Sequence, residues 1–181
     1  MKLNAKQLRE IDQEQVKDDA QRLPRRPLYF ILENIYDTYN IGGLFRLADA
    51  LAISKMYICG ETEIPPNHKI VKASVGTYKV VPWAYKKTAQ EAIEELRKEQ
   101  ESVKIVAVEQ DAASVPLQSA DYAWPVALLV GNETYGVLPE TLKQVDHIVE
   151  IPMWGINKSL NVIVSAAIVS YYLSMKKSDI L

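Results

Sequence analysis

Three polar clusters follow apolar runs in this chain, and each holds residue types that can grip or activate a substrate. The first, Glu33-Asn34-Ile35-Tyr36-Asp37-Thr38-Tyr39-Asn40-Ile41-Gly42-Gly43-Leu44-Phe45-Arg46, follows the apolar stretch Leu28 to Leu32. Asn34 and Asn40 can donate and accept at once, and Arg46 offers a planar fork suited to a phosphate. With about 3.6 residues per helical turn, Arg46 points away from the stripe of Leu44, Leu47 and Leu51. An isolated arginine there would be a surface residue paired with Asp49 at i+3. Gly42 and Gly43 each cost up to ~1 kcal/mol relative to Ala inside a helix, so their place beside a helix start implies close approach of another backbone or of a ligand.

The second cluster is Gly131-Asn132-Glu133-Thr134-Tyr135-Gly136, after the apolar run Val126 to Val130. A strand running into Gly131 lets a ligand pass close to the backbone, with Glu133 at the strand's carboxyl edge. Alone, it reads equally as a plain turn with a solvated charge. The third is Ile151-Pro152-Met153-Trp154-Gly155-Ile156-Asn157-Lys158-Ser159-Leu160-Asn161-Val162. Here a strand ends, the chain turns at Pro152 and Gly155, and a helix is expected to open at Ser159. Val162, Ile163, Val164, Ala166, Ala167, Ile168 and Val169 leave that helix almost no polar face, the mark of a buried helix. Its first turn carries Ser159 and Asn161, a polar mouth where free backbone N–H groups gather. Ser159 serves equally well as an ordinary N-cap.

The elements that must position these clusters alternate. An amphipathic helix is expected over residues 4 to 21, with Leu8, Ile11 and Val16 on its apolar side, followed by breaks at Pro24 and Pro27. Strands are expected over residues 28–32, 55–59, 103–108, 126–130 and 147–151, and helices over 40–52, 88–99, 141–145 and 159–176; residues 62–82 read as irregular. Thr88-Ala89-Gln90-Glu91 is a capping box. The pattern predicts an α/β fold with a mostly parallel sheet flanked by helices; its strands are continuous apolar runs, as when both faces are covered. Residues 1–27 form a helical extension and residues 28–181 the main domain.

Composition narrows the function classes. With 21 basic and 23 acidic residues among 181 the net charge is −2, which excludes a grossly basic coat but leaves room for a local nucleic-acid patch. Candidates are Arg22, Arg25 and Arg26, and Lys86-Lys87, although such clusters are more often solvated surface. The lone Cys59 cannot form an intrachain disulfide, which favours a reducing compartment and hence the cytoplasm. No stretch reaches the length of a membrane span, and His68, His147 and Cys59 are too few for a structural zinc site. Neither a G-x-G-x-x-G after the first strand nor a G-x-x-x-x-G-K is present, so the usual dinucleotide fold and the P-loop lack their fingerprints.

Taken together, the three clusters resemble the signature motifs of the SpoU (TrmH) family of RNA 2′-O-ribose methyltransferases, members of the SPOUT class. The resemblance runs from about Leu28 to Tyr172. Asn34, Asn40, Arg46 and Ala48-Asp49-Ala50 match the first motif; Gly131, Glu133 and Gly136 the second; Ile151-Pro152-Met153, Gly155 and Ser159-Leu160-Asn161-Val162 the third. Similar proteins commonly have a small polar residue where this chain has Ile163. The resemblance implies a C-terminal trefoil knot and S-adenosylmethionine bound among three loops, with Glu109, Gly131, Ile151, Met153, Ser159 and Leu160 around the cofactor. It implies Arg46 as the catalytic arginine, with Asn40, Glu133, Ser159 and Asn161 positioning it, the ribose and the cofactor. It further implies a homodimer with RNA, tRNA ahead of rRNA, crossing the subunit interface, and no metal or membrane. A non-catalytic RNA-binding protein of the same fold, a base methyltransferase and a small-molecule enzyme of the doubly wound class are the competing readings.

Overall fold

The computed structural model of the chain describes residues 2–12, 20, 22–120 and 122–176. Seven strands form one sheet: β1 (Arg26–Glu33), β2 (Ile53–Cys59), β3 (Trp83–Lys86), β4 (Lys104–Val108), β5 (Val115–Pro116), β6 (Val126–Val130) and β7 (His147–Glu150), in the spatial order β3-β2-β1-β6-β4-β7-β5. Every pairing is parallel, so all strand carboxyl ends lie along one edge. The helices are α1 (Ala5–Glu10), α2 (Thr38–Ala50), α3 (His68–Ser74), α4 (Ala89–Glu99), α5 (Pro139–Leu142) and α6 (Val162–Lys176), with a 3-10 turn at Thr77–Lys79.

Alternation along β1 divides the core. Leu28, Phe30 and Leu32 pack with Ile41, Leu44 and Phe45 of α2, Ile70 of α3, and Ala166, Val169 and Leu173 of α6. Tyr29 and Ile31 point the other way, to Ala92, Ile93 and Leu96 of α4. Both faces are therefore covered, as the unbroken apolar strands require. The central pair, β1 and β6, is in register from Leu28 opposite Val126 to Leu32 opposite Val130. That register brings Glu33 and Gly131 out of the sheet side by side, where the first two polar clusters begin.

Several boundaries differ from the sequence reading. Helix α1 ends at Glu10: Asn4 and Gln7 form its capping box, and Ile11 leaves the helix with an extended backbone. Val16, expected on the same helix, lies outside the described residues. The helix is docked rather than loose. The Lys79 ammonium donates to the Arg9 and Ile11 carbonyls, and a Cβ on Gly76 would lie 2.4 Å from the Leu8 carbonyl oxygen. The stretch read as irregular holds α3, capped by Asn67, and the 3-10 turn. Helix α3 buries only Ile70 and Ser74, too few positions to make a periodic stripe. Strands β3 and β5 were also unforeseen; both sit at the sheet margins and bury little.

Candidate functional site

At the carboxyl edge of β4, β6 and β7 the chain encloses a cavity of about 440 Å³, within the usual range of small-molecule sites. Three loops build it: Glu109-Gln110 after β4, Gly131 to Gly136 after β6, and the run from Ile151 to Asn161 after β7. Each loop is pinned to another. The Glu109 carboxylate accepts from the Val137 N–H at 2.9 Å and the Gln110 N–H at 2.8 Å. The Gln110 side-chain amide donates to the Lys158 carbonyl. The Asn132 side chain accepts from the Thr134 and Tyr135 N–H groups and donates to the Asn34 carbonyl.

Glycine is required at one corner of this loop. Gly136 has a φ of +70°, and a Cβ there would meet the Glu109 carboxylate oxygen at 2.1 Å. Gly131 packs against the 136–137 backbone, with the same hypothetical Cβ 2.3 Å from the Val137 nitrogen. The loop thus closes on itself, and its backbone forms a wall of the cavity.

The six residues expected around a cofactor, Glu109, Gly131, Ile151, Met153, Ser159 and Leu160, all line this one cavity. Of the five expected catalytic residues, Glu133, Ser159 and Asn161 line it too. Asn40 reaches it by a relay. Its Nδ2 donates to Glu133 Oε1 at 2.8 Å, and its Oδ1 accepts from Asn161 Nδ2 at 3.0 Å. Asn40 is only 5% exposed, so both ends of its amide are fixed. The Glu133 carboxylate also accepts from the Tyr36 and Asp37 N–H groups, each at 3.3 Å. With those donors in place, Glu133 anchors the first cluster against the second.

Arg46 stands apart. It is exposed, outside the cavity lining, and makes no hydrogen bond or ion pair with the described residues. The expected Arg46–Asp49 pair does not form. Asp49 is partly buried; burial pushes its carboxyl above the ordinary range, and Arg25 draws it back. Arg25 itself donates to the Ile53 and Val80 carbonyls at 3.0 and 2.7 Å. The basic clusters shrink accordingly: Arg25 is structural, and Lys86 is tied to Glu95.

Ser159 is not the helix cap. Helix α6 begins at Val162, and Asn161 caps it: its side-chain oxygen accepts from the Ile163 N–H at 2.8 Å, its carbonyl from the Ser165 N–H at 3.0 Å. Asn161 caps with its oxygen while its nitrogen holds Asn40, so one amide sets the helix start and the relay together. Ser159 stays on the extended run that walls the cavity. Nor is α6 buried all round. Val164, Ile168, Tyr171 and Met175 are exposed.

The paired glycines have the explanation their placement implied. A Cβ on Gly42 would lie 2.4 Å from Ala73 Cβ and 2.9 Å from the Ser74 nitrogen; one on Gly43 would lie 2.3 Å from Ile163 Cδ1. Ile163, the departure from the commonest pattern, fills the space that Gly43 leaves.

Sequence reasoning missed Glu33. It is 2% exposed, and its carboxylate accepts from Thr141 Oγ1 at 2.6 Å and the Leu138 N–H at 2.8 Å. Burial raises its pKa, and the Thr141 and Leu138 hydrogen bonds partly offset this. The available signal was a carboxylate closing an otherwise apolar strand. Among the described residues no helix is long and apolar enough to cross a membrane, and no group of three or more His, Cys, Asp or Glu could hold a metal.

The cavity suits a nucleoside-sized ligand. Val108, Val130, Ile151, Met153 and Leu160 supply apolar wall, and the glycine-bearing loop presents backbone polar groups, the mix such ligands need.

Residues 27–171 match the SpoU rRNA Methylase family. A tRNA (guanosine(18)-2'-O)-methyltransferase of Thermus thermophilus is 31% identical over 148 residues, covering 81% of this chain and 74% of that protein. A 23S rRNA (guanosine-2'-O-)-methyltransferase of Ralstonia nicotianae is 30% identical over 142 residues, covering 78% and 56%. The AdoMet-bound rRNA methyltransferase of Sinorhizobium meliloti superposes with a TM-score of 0.74 at 28% identity, over 96% of this chain and 60% of that one. The SpoU methyltransferase AviRb of Streptomyces viridochromogenes, in complex with AdoMet, gives 0.76 at 26%, over 90% and 63%. This chain therefore spans less than two thirds of the ribosomal relative and of both solved neighbours. The match runs over residues 27–171, most of the chain and all three loops of the cavity, and places the chain in the SpoU rRNA methylase family.

Proposed function

We propose that this protein transfers a methyl group from S-adenosylmethionine to a ribose 2′-hydroxyl of RNA. The observation that carries the reading is the convergence of three loops on one cavity that Glu133 and Asn161 couple to Asn40. Bound there, the cofactor supplies an electrophilic methyl group on a sulfonium centre. Glu109, Gly131, Ile151, Met153, Ser159 and Leu160 hold it, largely through backbone groups and apolar contact. The knot implied by the resemblance belongs to the same reading.

The chain's own work is positioning and charge. Holding the hydroxyl in line with the methyl can supply ~7–11 kcal/mol of the barrier. Asn40, Glu133, Ser159 and Asn161 fix the ribose end of the cavity. Glu133 is spent on the Asn40, Tyr36 and Asp37 donors, so its role is positioning. As the new C–O bond forms, the C–S bond breaks to release S-adenosylhomocysteine, and the hydroxyl proton leaves to solvent. Arg46 grips the phosphate beside the target ribose and stabilises the charge that develops on the 2′-oxygen.

The working unit is a homodimer. Val164, Ile168, Tyr171 and Met175 recur along α6 at helical spacing and stand exposed, an apolar stripe of the kind a partner helix covers. Arg46 lies outside the cavity of its own chain, and RNA crossing the interface meets it there. Transfer RNA is proposed ahead of ribosomal RNA, in keeping with the similarity to tRNA (guanosine(18)-2'-O)-methyltransferases. The single, buried Cys59 fits a reducing, cytoplasmic setting.

The test is methyl transfer from labelled S-adenosylmethionine to unmodified total RNA, followed by digestion and identification of the labelled nucleosides. A 2′-O-methylnucleoside is expected. A base-methylated product would overturn the role of Arg46, and cofactor binding without transfer to any RNA would favour the non-catalytic RNA-binding reading.

A further inference from the structure

A second cavity, of about 520 Å³, opens at the same sheet edge on the β1–β3 side. Its lining includes Tyr36, Glu61, Tyr85, Lys87, Gln90 and Glu140. The walls are fixed before anything binds. The Glu61 N–H donates to Asn34 Oδ1 at 2.9 Å, the Thr62 hydroxyl to the Ile35 carbonyl at 2.6 Å, and the Tyr85 hydroxyl to the Gly60 carbonyl at 3.3 Å. Asn34 adopts a left-handed backbone, φ 53°, and a Cβ on Gly60 would lie 2.0 Å from its side-chain oxygen. Neither strand end can move independently.

The chemistry of the lining selects an occupant. Tyr36 and Tyr85 are about half exposed, at 53% and 45%, and an exposed ring is a stacking surface for a planar heterocycle. The carboxylates of Glu61 and Glu140 make no hydrogen bond or ion pair with the described residues and can only accept. They repel phosphate and suit exocyclic amino groups. Among the described residues Lys87 is the one cation in the lining, in place for a backbone phosphate at the rim. The two cavities also share a wall, because the Tyr36 N–H donates to Glu133 and the Asn132 amide to the Asn34 carbonyl. An RNA strand that presents its ribose to the first cavity therefore passes over the second.

We propose that this second cavity is a nucleobase subsite that takes an unpaired base of the RNA beside the target ribose, stacked on Tyr36 and Tyr85 and read by Glu61 and Glu140. The inference rests on the RNA methylation reading and adds a specificity-determining site to it. Adenine, cytosine and guanine, which carry an amino group, are favoured over uracil.

The experiment titrates the four nucleoside 5′-monophosphates into the protein saturated with S-adenosylhomocysteine, which fills the first cavity, and measures the KM for RNA in parallel. The amino-bearing nucleotides are expected to bind more tightly than uridine monophosphate. Tyr85→Ala combined with Tyr36→Ala should weaken them about tenfold or more and raise the RNA KM while cofactor affinity holds. Tyr85→Phe, which keeps the ring, should retain most of the binding, and Glu61→Gln with Glu140→Gln should flatten the preference. Unchanged nucleotide affinity and RNA KM in the double tyrosine variant would overturn the subsite, as would a change in oligomeric state that marks the cavity as an interface between copies. The two readings fail separately. Nucleotide binding lost with the tyrosines, but no methyl transfer to any RNA, sinks only the activity; normal methylation indifferent to the tyrosines sinks only the subsite.

Discussion

Helices α2 and α6 touch through Gly43 and Ile163, yet they use their outward faces in opposite ways. In α2, Ile41, Leu44, Phe45, Leu47 and Ala48 are all buried within the chain, and the outward face carries Arg46, whose side chain has no partner among the described residues. In α6, Val162, Ala166, Val169 and Leu173 reach the core, while Val164, Ile168, Tyr171 and Met175 remain in solvent. The first helix has its apolar face covered by its own chain and leaves only a polar face outward, whereas the second leaves an apolar stripe uncovered, the surface that the proposed dimer would bury. Arg46 on α2 is thus marked by what it lacks among the described residues, a partner, and the outer face of α6 by what it has in excess, apolar surface.

The largest effect should come from the outward face of α2. Arg46→Ala should lower methyl transfer by about 10²–10³ or more, with S-adenosylmethionine affinity unchanged in a calorimetric titration; loss of both would erase the division between holding and reacting. Mixing Arg46→Ala with Glu133→Ala subunits should restore part of the activity if Arg46 serves the partner's cavity. On α6, Ile168→Asp should convert a dimer to a monomer in sedimentation and remove most activity while the circular dichroism spectrum stays native. A wild-type chain that sediments as a monomer would undo the contrast altogether.

Two smaller effects probe the seam between the helices. Gly42→Ala should cost about 1–3 kcal/mol in urea unfolding, because the new methyl meets the α3 backbone. Gly43→Ala should cost less, since the obstacle is the end of a movable isoleucine side chain; equal costs would mean that both helices are equally rigid there. Asn161→Ala should cost about 0.5–2 kcal/mol as a lost cap and also release Asn40. Asn161→Asp keeps the cap but sets a carboxylate oxygen against the Asn40 side-chain oxygen, so kcat should fall although the helix start is retained.

Much of this was legible in the sequence, for reasons that can be named. The strands at the centre of the sheet, such as Val126–Val130, are uninterrupted apolar runs, and Leu44, Leu47 and Leu51 declare one side of α2. The cavity lining was legible through the resemblance of the three clusters to family motifs, and the polar clusters themselves through the apolar runs they follow. What escaped notice depends on contacts between distant residues. Helix α3 is too short for periodicity and exists because Asn67 caps it and Gly42 admits it. The start of α6 was misplaced because Ser159 and Asn161 are both good caps, and the choice falls to the residue that also meets Asn40, 121 positions away. The exposed stripe of α6 was hidden because apolar residues read the same whether their partner is the same chain or another.

The relay Asn161–Asn40–Glu133 bridges sequence separations of 121 and 93 residues. During synthesis, the segment carrying Asn40 and Arg46 emerges early, and β1 and β2 can pair without anything that follows β6. The third loop arrives last, and until it does neither the cavity nor the fixed amide exists. An interrupted translation product therefore carries Arg46 without the three-loop cavity.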